Sequence, residues 1–230
     1  IPTPEEYAAA QERVQYVEGL LHIAITGVAG SGKSSLLNAL LGLPNGVKGA
    51  AAVGTSETTE AIARYRDPQL DNPFVYYDVP GAGTLRVPGQ QYFLNQVLYI
   101  FDAVIIVIDN RVTEIDIDIM KNCKVMDVPT YIVRSKARQH IRNLMNDMNP
   151  GRTADRAMLL QKARAIFIQD TRGTVERNLE EAGLPPQRVY IVDKEILWPI
   201  VSGQDMSYEN WFDEWAFLWA ILNDARNRRV

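Results

Sequence analysis

Residues Gly27–Ser34 read GVAGSGKS, a full match to the pattern G-x-x-x-x-G-K-[ST]. Glycines at these positions let successive backbone N–H groups turn inward around phosphate oxygens with no Cβ in the way. A helix starting near Gly32 adds the partial positive charge of its N-terminus. Lys33 would neutralise the β and γ phosphates, and Ser34 would ligate Mg²⁺. The spacing therefore predicts a nucleoside triphosphate site, with Gly30, Ser31, Gly32, Lys33, Ser34 and Ser35 around the phosphates. A second group extends it. The strand-like run Phe74–Asp78 ends in an acid and continues DVPGAG, so Asp78 can hold the Mg²⁺ shell while Gly81 offers its N–H to the γ-phosphate. A loop that touches the γ-phosphate reports whether it is there, which is switch behaviour. Between the two groups, the Gly- and Thr-rich segment Gly49–Glu60 reads as a first switch, in which Thr59, or Thr58 beside it, gives a hydroxyl to Mg²⁺.

These groups need a strand before each loop and a helix behind the first. Leu20–Thr26, Ala61–Arg66, Phe74–Asp78, Ala103–Asp109, Thr130–Arg134 and Arg188–Val192 are apolar or β-branched runs that predict six strands. Helical stretches are expected at Pro4–Gly19, Ser34–Leu41, Gln90–Ile100, Thr113–Met126, Asp155–Glu181 and Tyr208–Arg228, with more than one helix between Arg134 and Arg188. Strands apolar on both faces and alternating with helices predict an α/β fold, a mainly parallel six-stranded sheet with helices on both faces. The 230 residues suit one such domain, and 47% apolar against 23% charged side chains excludes a disordered chain. A net charge of -4 argues against nucleic acid as a partner. The single cysteine, Cys123, excludes an internal disulfide framework and fits a reducing compartment, so a cytoplasmic location is expected. The longest apolar run, Ala103–Ile108, is too short to cross a bilayer.

With GSGKSSLLNALLG, DVPGAGT, NRVTEIDIDIMK at 110–121 and YIVRSKA at 131–137 in this order, the chain resembles the immunity-related GTPases, a family of dynamin-like, interferon-inducible proteins. The likeness covers most of Leu20–Val192. The resemblance implies a Ras-like P-loop NTPase sheet, Mg²⁺-dependent hydrolysis, a nucleotide-dependent homodimer and peripheral contact with intracellular membranes. It implies domain limits of 1–19 for an N-terminal helix, 20–203 for the nucleotide domain and 204–230 for a C-terminal helix, either packed on that domain or the remnant of a reduced helical domain. Glu57 falls where the family has a switch acid tied to dimer-stimulated hydrolysis, and Arg134 is expected at a cross-subunit contact. Ala82 follows Gly81, so the water-orienting glutamine of Ras-like enzymes is missing and slow basal turnover is expected.

The departure from the family lies in base recognition. The family reads guanine with [TN]-K-x-D after the strand equivalent to Tyr131–Arg134; Lys136 is in place, but Arg138 stands at the aspartate position. A carboxylate accepts from guanine N1–H and the 2-amino group, whereas a guanidinium accepts nothing. Asp193, in the Val192-Asp193-Lys194 stretch where the other base-contacting loop falls, is the expected substitute acceptor. An Arg138–Asp193 pair would suit an edge with acceptors beside one N–H, as in uracil and xanthine, so UTP and XTP compete with the family's GTP. Two other functions are consistent with the residues: an interaction module that binds nucleotide with little hydrolysis, and a small-substrate kinase. His22 and His140 lack metal-ligand spacing, and Cys123 reads as core filling. The aromatic group Trp211, Phe212, Trp215, Phe217 and Trp219 reads as core, or as a docking face.

Overall fold

A computed structural model describes residues 2–53, 61–69, 71–81, 89–148, 155–204 and 211–227, with the backbone alone for 225–227. Six strands form one sheet: β1 Leu21–Thr26, β2 Ala63–Arg66, β3 Phe74–Asp78, β4 Ala103–Ile108, β5 Thr130–Arg134 and β6 Val189–Ile191. Their order is β2-β3-β1-β4-β5-β6, parallel throughout except for β2, which runs antiparallel to β3 at the edge. Eight helices accompany them among the described residues: α1 Pro4–Arg13, α2 Lys33–Leu40, α3 Gly89–Asn95, α4 Glu114–Val125, α5 Ala137–Met148, α6 Arg156–Glu181, α7 Lys194–Val201 and α8 Glu214–Asn227. The expected α/β class, the mainly parallel sheet and its helical cover are all present.

The strand period of two assigns alternate side chains to two layers. Ala24, Val104, Ile106 and Ile108 pack on one face with residues of α1, α3, α4 and the end of α6. Ile23, Ile25, Ile105 and Val107 pack on the other face with α2, Leu197 of α7, and Phe217 and Ile221 of α8. Burial on both sides is why β1 and β4 read as continuous apolar runs. A third cluster, Ala137, Ile141, Ala163, Phe167 and Ile191, joins α5 and α6 beyond β6.

Several boundaries differ from the sequence expectation. The first helix stops at Arg13, six residues before Gly19, and Gln15 just beyond it takes φ 55°. The stretch expected as one helix from Gln90 splits into α3 and a 3-10 turn at Leu98–Ile100, with Val97 at φ 45° between them. Helix α7 was not expected at all, because Pro199 lies inside it. A proline in the second turn still leaves the first-turn N–H groups, and Asp193 caps one of them by accepting from the Glu195 N–H.

Candidate nucleotide site

The loop between β1 and α2 is built around glycines at positive φ, a conformation that side chains rarely adopt. A Cβ on Gly27, at φ +137°, would sit 2.2 Å from the Val107 carbonyl oxygen, so this turn lies directly on β4. Gly32 caps α2 at φ +101° with no side-chain cap, which leaves the first-turn N–H groups pointing out of the helix end. A Cβ there would press on Ser135 Oγ at 2.9 Å, so the loop passes close under the β5–α5 connection. Lys33 is 8% exposed, and its ammonium reaches back across the loop to donate to the Val28 carbonyl at 3.2 Å. The Ser31 hydroxyl is fully buried with no hydrogen-bond partner among the described residues.

Ser34 Oγ donates to Asp78 Oδ2 at 2.6 Å, joining the start of α2 to the end of β3. A hydroxyl and a carboxylate oxygen this close are hard donors that suit Mg²⁺. No group of three or more His, Cys, Asp or Glu that could hold a metal occurs among the described residues. Asp116, which the sequence reading passed over, is fully buried at the start of α4 and accepts from both the N–H and the hydroxyl of Thr113. Burial raises its carboxyl; the Thr113 bonds and the positive charge of Lys33 pull it back. The signal available in the sequence was the capping box Thr113-x-x-Asp116. Gly81 follows β3 as expected, while Glu57, Thr58, Thr59 and Ala82 lie outside the described residues.

The base-side loops are tied to the phosphate loop. Ser135 Oγ donates to the Ser31 carbonyl, and Lys136 Nζ, on a residue with φ 58°, donates to the Gly30 carbonyl. A cavity of about 310 Å³ opens beside them, lined by Gly32, Ser35, Lys136, Arg138, Asp193 and Glu195 among others. It lies outside the carboxyl ends of the parallel strands, where α/β sheets bind ligands. Lys194 lines it too.

The geometry of the expected Arg138–Asp193 pair is different from a side-chain ion pair. Asp193 is 4% exposed and accepts from two main-chain amides, Arg138 N–H at 2.8 Å and Glu195 N–H at 3.0 Å. The Arg138 guanidinium donates instead to Glu195 Oε2 at 2.9 Å. Glu195, two residues beyond the expected acceptor, was missed because α7 was missed.

Behind this loop the start of α8 locks the outer side of β6. Asp213 Oδ2 accepts from Ile191 N–H at 3.0 Å, and Glu214 Oε1 accepts from Asp193 N–H at 2.9 Å. Asp213 also meets Arg172 and Arg188 at 3.2 and 2.6 Å, and its own N–H donates to the Ile191 carbonyl. Glu214 is fully buried, and burial pushes its carboxyl up to about 7. Burial raises Asp193 in the same sense.

Other candidates are placed elsewhere. Arg134 is 5% exposed and spends its guanidinium on Asp109 and Asn110 inside the chain, over the Phe167 ring. Its expected place at a cross-subunit contact is therefore corrected: the group is not at the surface. His22 is buried with Nδ1 2.7 Å from the Tyr77 hydroxyl, and Cys123 is core, its thiol pushed up to about 12 by burial. The aromatic group divides: Phe217 is buried, while Trp215 and Trp219 stand 58% and 55% exposed on α8. Among the described residues no helix is long and apolar enough to cross a membrane.

A glycine loop of the phosphate-loop type on a parallel sheet, an acid at the end of the neighbouring strand and a cavity over two strand ends together define a P-loop-type α/β domain. The chain belongs to the interferon-inducible GTPase (IIGP) family, whose pattern matches residues 6–183. It is 37% identical over 153 residues to mouse interferon-inducible GTPase 1, covering 66% of this chain and 36% of that protein. It is 37% identical over 123 residues to mouse T-cell-specific guanine nucleotide triphosphate-binding protein 2 (54% and 29%), and 27% identical over 172 residues to mouse interferon-gamma-inducible GTPase 10 (75% and 39%). The matched region thus spans about a third of the length of these relatives. Among solved structures, Aquifex aeolicus Era aligns over 83% of this chain and 60% of its own at 17% identity with a TM-score of 0.46, too loose a superposition to bear on function.

Proposed function

We propose that residues 20–203 bind a nucleoside triphosphate with Mg²⁺ and hydrolyse its γ-phosphate, with GTP as the family base and UTP and XTP as competitors. The observation that carries this is the Ser34–Asp78 contact at 2.6 Å, next to Lys33, whose ammonium reaches back across the glycine loop to the Val28 carbonyl. Loop N–H groups and Lys33 hold phosphate charge, and the helix end at Gly32 adds to it. Ser34 and Asp78, joined by Thr59, would hold the metal, which when bound screens the phosphate charge that grows in the transition state. Gly81 N–H meets the γ-phosphate. With Ala82 in place of a glutamine, the attacking water is positioned by Glu57 once a second copy of the chain fixes the switch, so basal turnover is slow and rises on dimerisation. The relatives' interferon-inducible names extend the reading to a protein of the immune response, and the family resemblance extends it to a cytoplasmic location with peripheral contact to intracellular membranes.

Phosphate release from GTP, with Mg²⁺ or EDTA and across a range of protein concentration, tests it. Turnover is expected to need Mg²⁺, to rise per molecule with concentration, and to be lost in Lys33→Ala. Turnover that ignores Mg²⁺ or survives Lys33→Ala would reject the reading; a flat concentration dependence would remove the dimer from it.

A further inference from the structure

We infer that Glu195 is the specificity-determining acceptor of the base cavity, standing in for the missing aspartate, and that it selects guanine over xanthine and uracil. The inference rests on the nucleotide-binding reading above and narrows it to one base.

The cavity is basic: Lys136, Arg138, Arg142 and Lys194 all line it, and its two carboxylates are Asp193 and Glu195. Asp193 is unsuited to reading a base. It is buried, and its two oxygens accept from the Arg138 and Glu195 amides. Turning it toward a ligand would strip the cap from α7 and the anchor from the β5–α5 loop. Glu195 has none of those duties. Its side chain is 55% exposed, and Oε2 accepts from Arg138 Nη1 at 2.9 Å. A carboxylate has about four acceptor positions, so one such bond leaves the rest available. The pair is itself half exposed and therefore cheap to shift.

The order of groups is what selects the base. Arg138 offers donors and Glu195, bonded to it, offers acceptors. Guanine presents the complementary edge: O6 as acceptor, then N1–H and the 2-amino group as donors. Arg138 faces O6 while Glu195 takes both N–H groups. Xanthine and uracil end the same edge in a carbonyl oxygen, which would meet the Glu195 carboxylate with no proton between them. Adenine lacks the N1–H. Gln139, also on the cavity, has one neutral amide oxygen and cannot accept from both donors with charge assistance. The departure at Arg138 is thereby compensated on the neighbouring loop and the acceptor–donor order is kept.

The test is competition binding of GTP, ITP, XTP, UTP and inorganic tripolyphosphate, with Mg²⁺, to the wild-type chain, Glu195→Ala and Glu195→Gln. Wild type is expected to favour GTP over XTP and UTP by about tenfold or more, with ITP between them, since it lacks the 2-amino group. Glu195→Ala should weaken GTP about 10- to 100-fold while XTP and tripolyphosphate change by less than about threefold, and Glu195→Gln should fall between. The tripolyphosphate value certifies that the variant is folded and its phosphate loop intact. Equal losses for GTP and XTP would reduce Glu195 to a structural part and overturn the inference, as would an unchanged GTP affinity. A wild-type preference for XTP or UTP would overturn it too while leaving the triphosphatase reading standing. A wild-type chain that binds none of these ligands would bring down both.

Discussion

At the phosphate end of the groove the shape is made by backbone: Gly27 seated on β4 and Gly32 at the helix end, both at positive φ. At the base end the side chains on the cavity come from two separate segments, Lys136 and Arg138 at the start of α5 after β5 and Glu195 in the first turn of α7 after β6. A backbone cradle tolerates little change within its motif and recognises only what all nucleoside triphosphates share. A side-chain reader can lose one residue and regain the same chemistry from another loop, provided that loop is held still. Here the holding is done by Asp193, and behind it by Asp213 and Glu214. Grip on the shared triphosphate and choice of base thus fall to different kinds of atom.

The contrast can be broken at either end. The largest effect is expected for Lys33→Ala, which should weaken every nucleotide and tripolyphosphate alike by about 100-fold or more, in binding and in turnover. Equal loss across bases is the signature of the phosphate end, and a base-dependent loss would blur the division. Asp213→Ala comes next. It leaves the Ile191 N–H and two arginines without their buried acceptor, and should cost about 2–4 kcal/mol in urea unfolding. Under conditions where it stays folded, it should weaken GTP more than tripolyphosphate.

Glu214 gives a pH test of the same support. Its carboxyl is raised from 4.5 to about 7, so between those values the folded chain keeps a proton that the unfolded chain has released. Stability contributed by this group is present below pH 4.5 and is lost as pH rises through 7, by up to about 3 kcal/mol. Glu214→Gln should flatten that slope in unfolding curves taken from pH 5 to 8; an unchanged slope would assign the titration elsewhere. The smallest effect belongs to Arg138→Ala. Its ion pair with Glu195 is half exposed and should carry less than about 1 kcal/mol of stability, so a larger loss would mean that the residue is structural and not free to read a base.

How much of this was legible depended on the same division. Gly27–Ser34 and Asp78 could be found because their spacing is imposed by the phosphate group itself, and the strands around them because both faces are buried. Arg138 was visible as a departure, yet its consequence was not. The acceptor sits on α7, which Pro199 concealed, and Asp193 drew the assignment because its place in the loop is the same whether it caps a helix or meets a ligand. The pairing of Asp213 and Glu214 with the edge of β6 was also hidden. Two adjacent acids before an aromatic helix read as ordinary first-turn residues, and only the fold brings them to amides some twenty positions earlier, as in Asp193 to Glu214 across 21 residues. Arg134, by contrast, was expected at a contact between copies, whereas its guanidinium meets Asp109 and Asn110 and packs over Phe167.

The acidic pair at the head of α8 also bears on how copies of the chain can come together. The outer side of the last strand would ordinarily invite a foreign β-segment to extend the ladder, the route by which open sheets aggregate. With the Ile191 and Asp193 amides already taken by carboxylates, an incoming strand would have to displace two buried acids to gain its first bonds. Growth of the sheet by an added strand is thereby disfavoured at this edge.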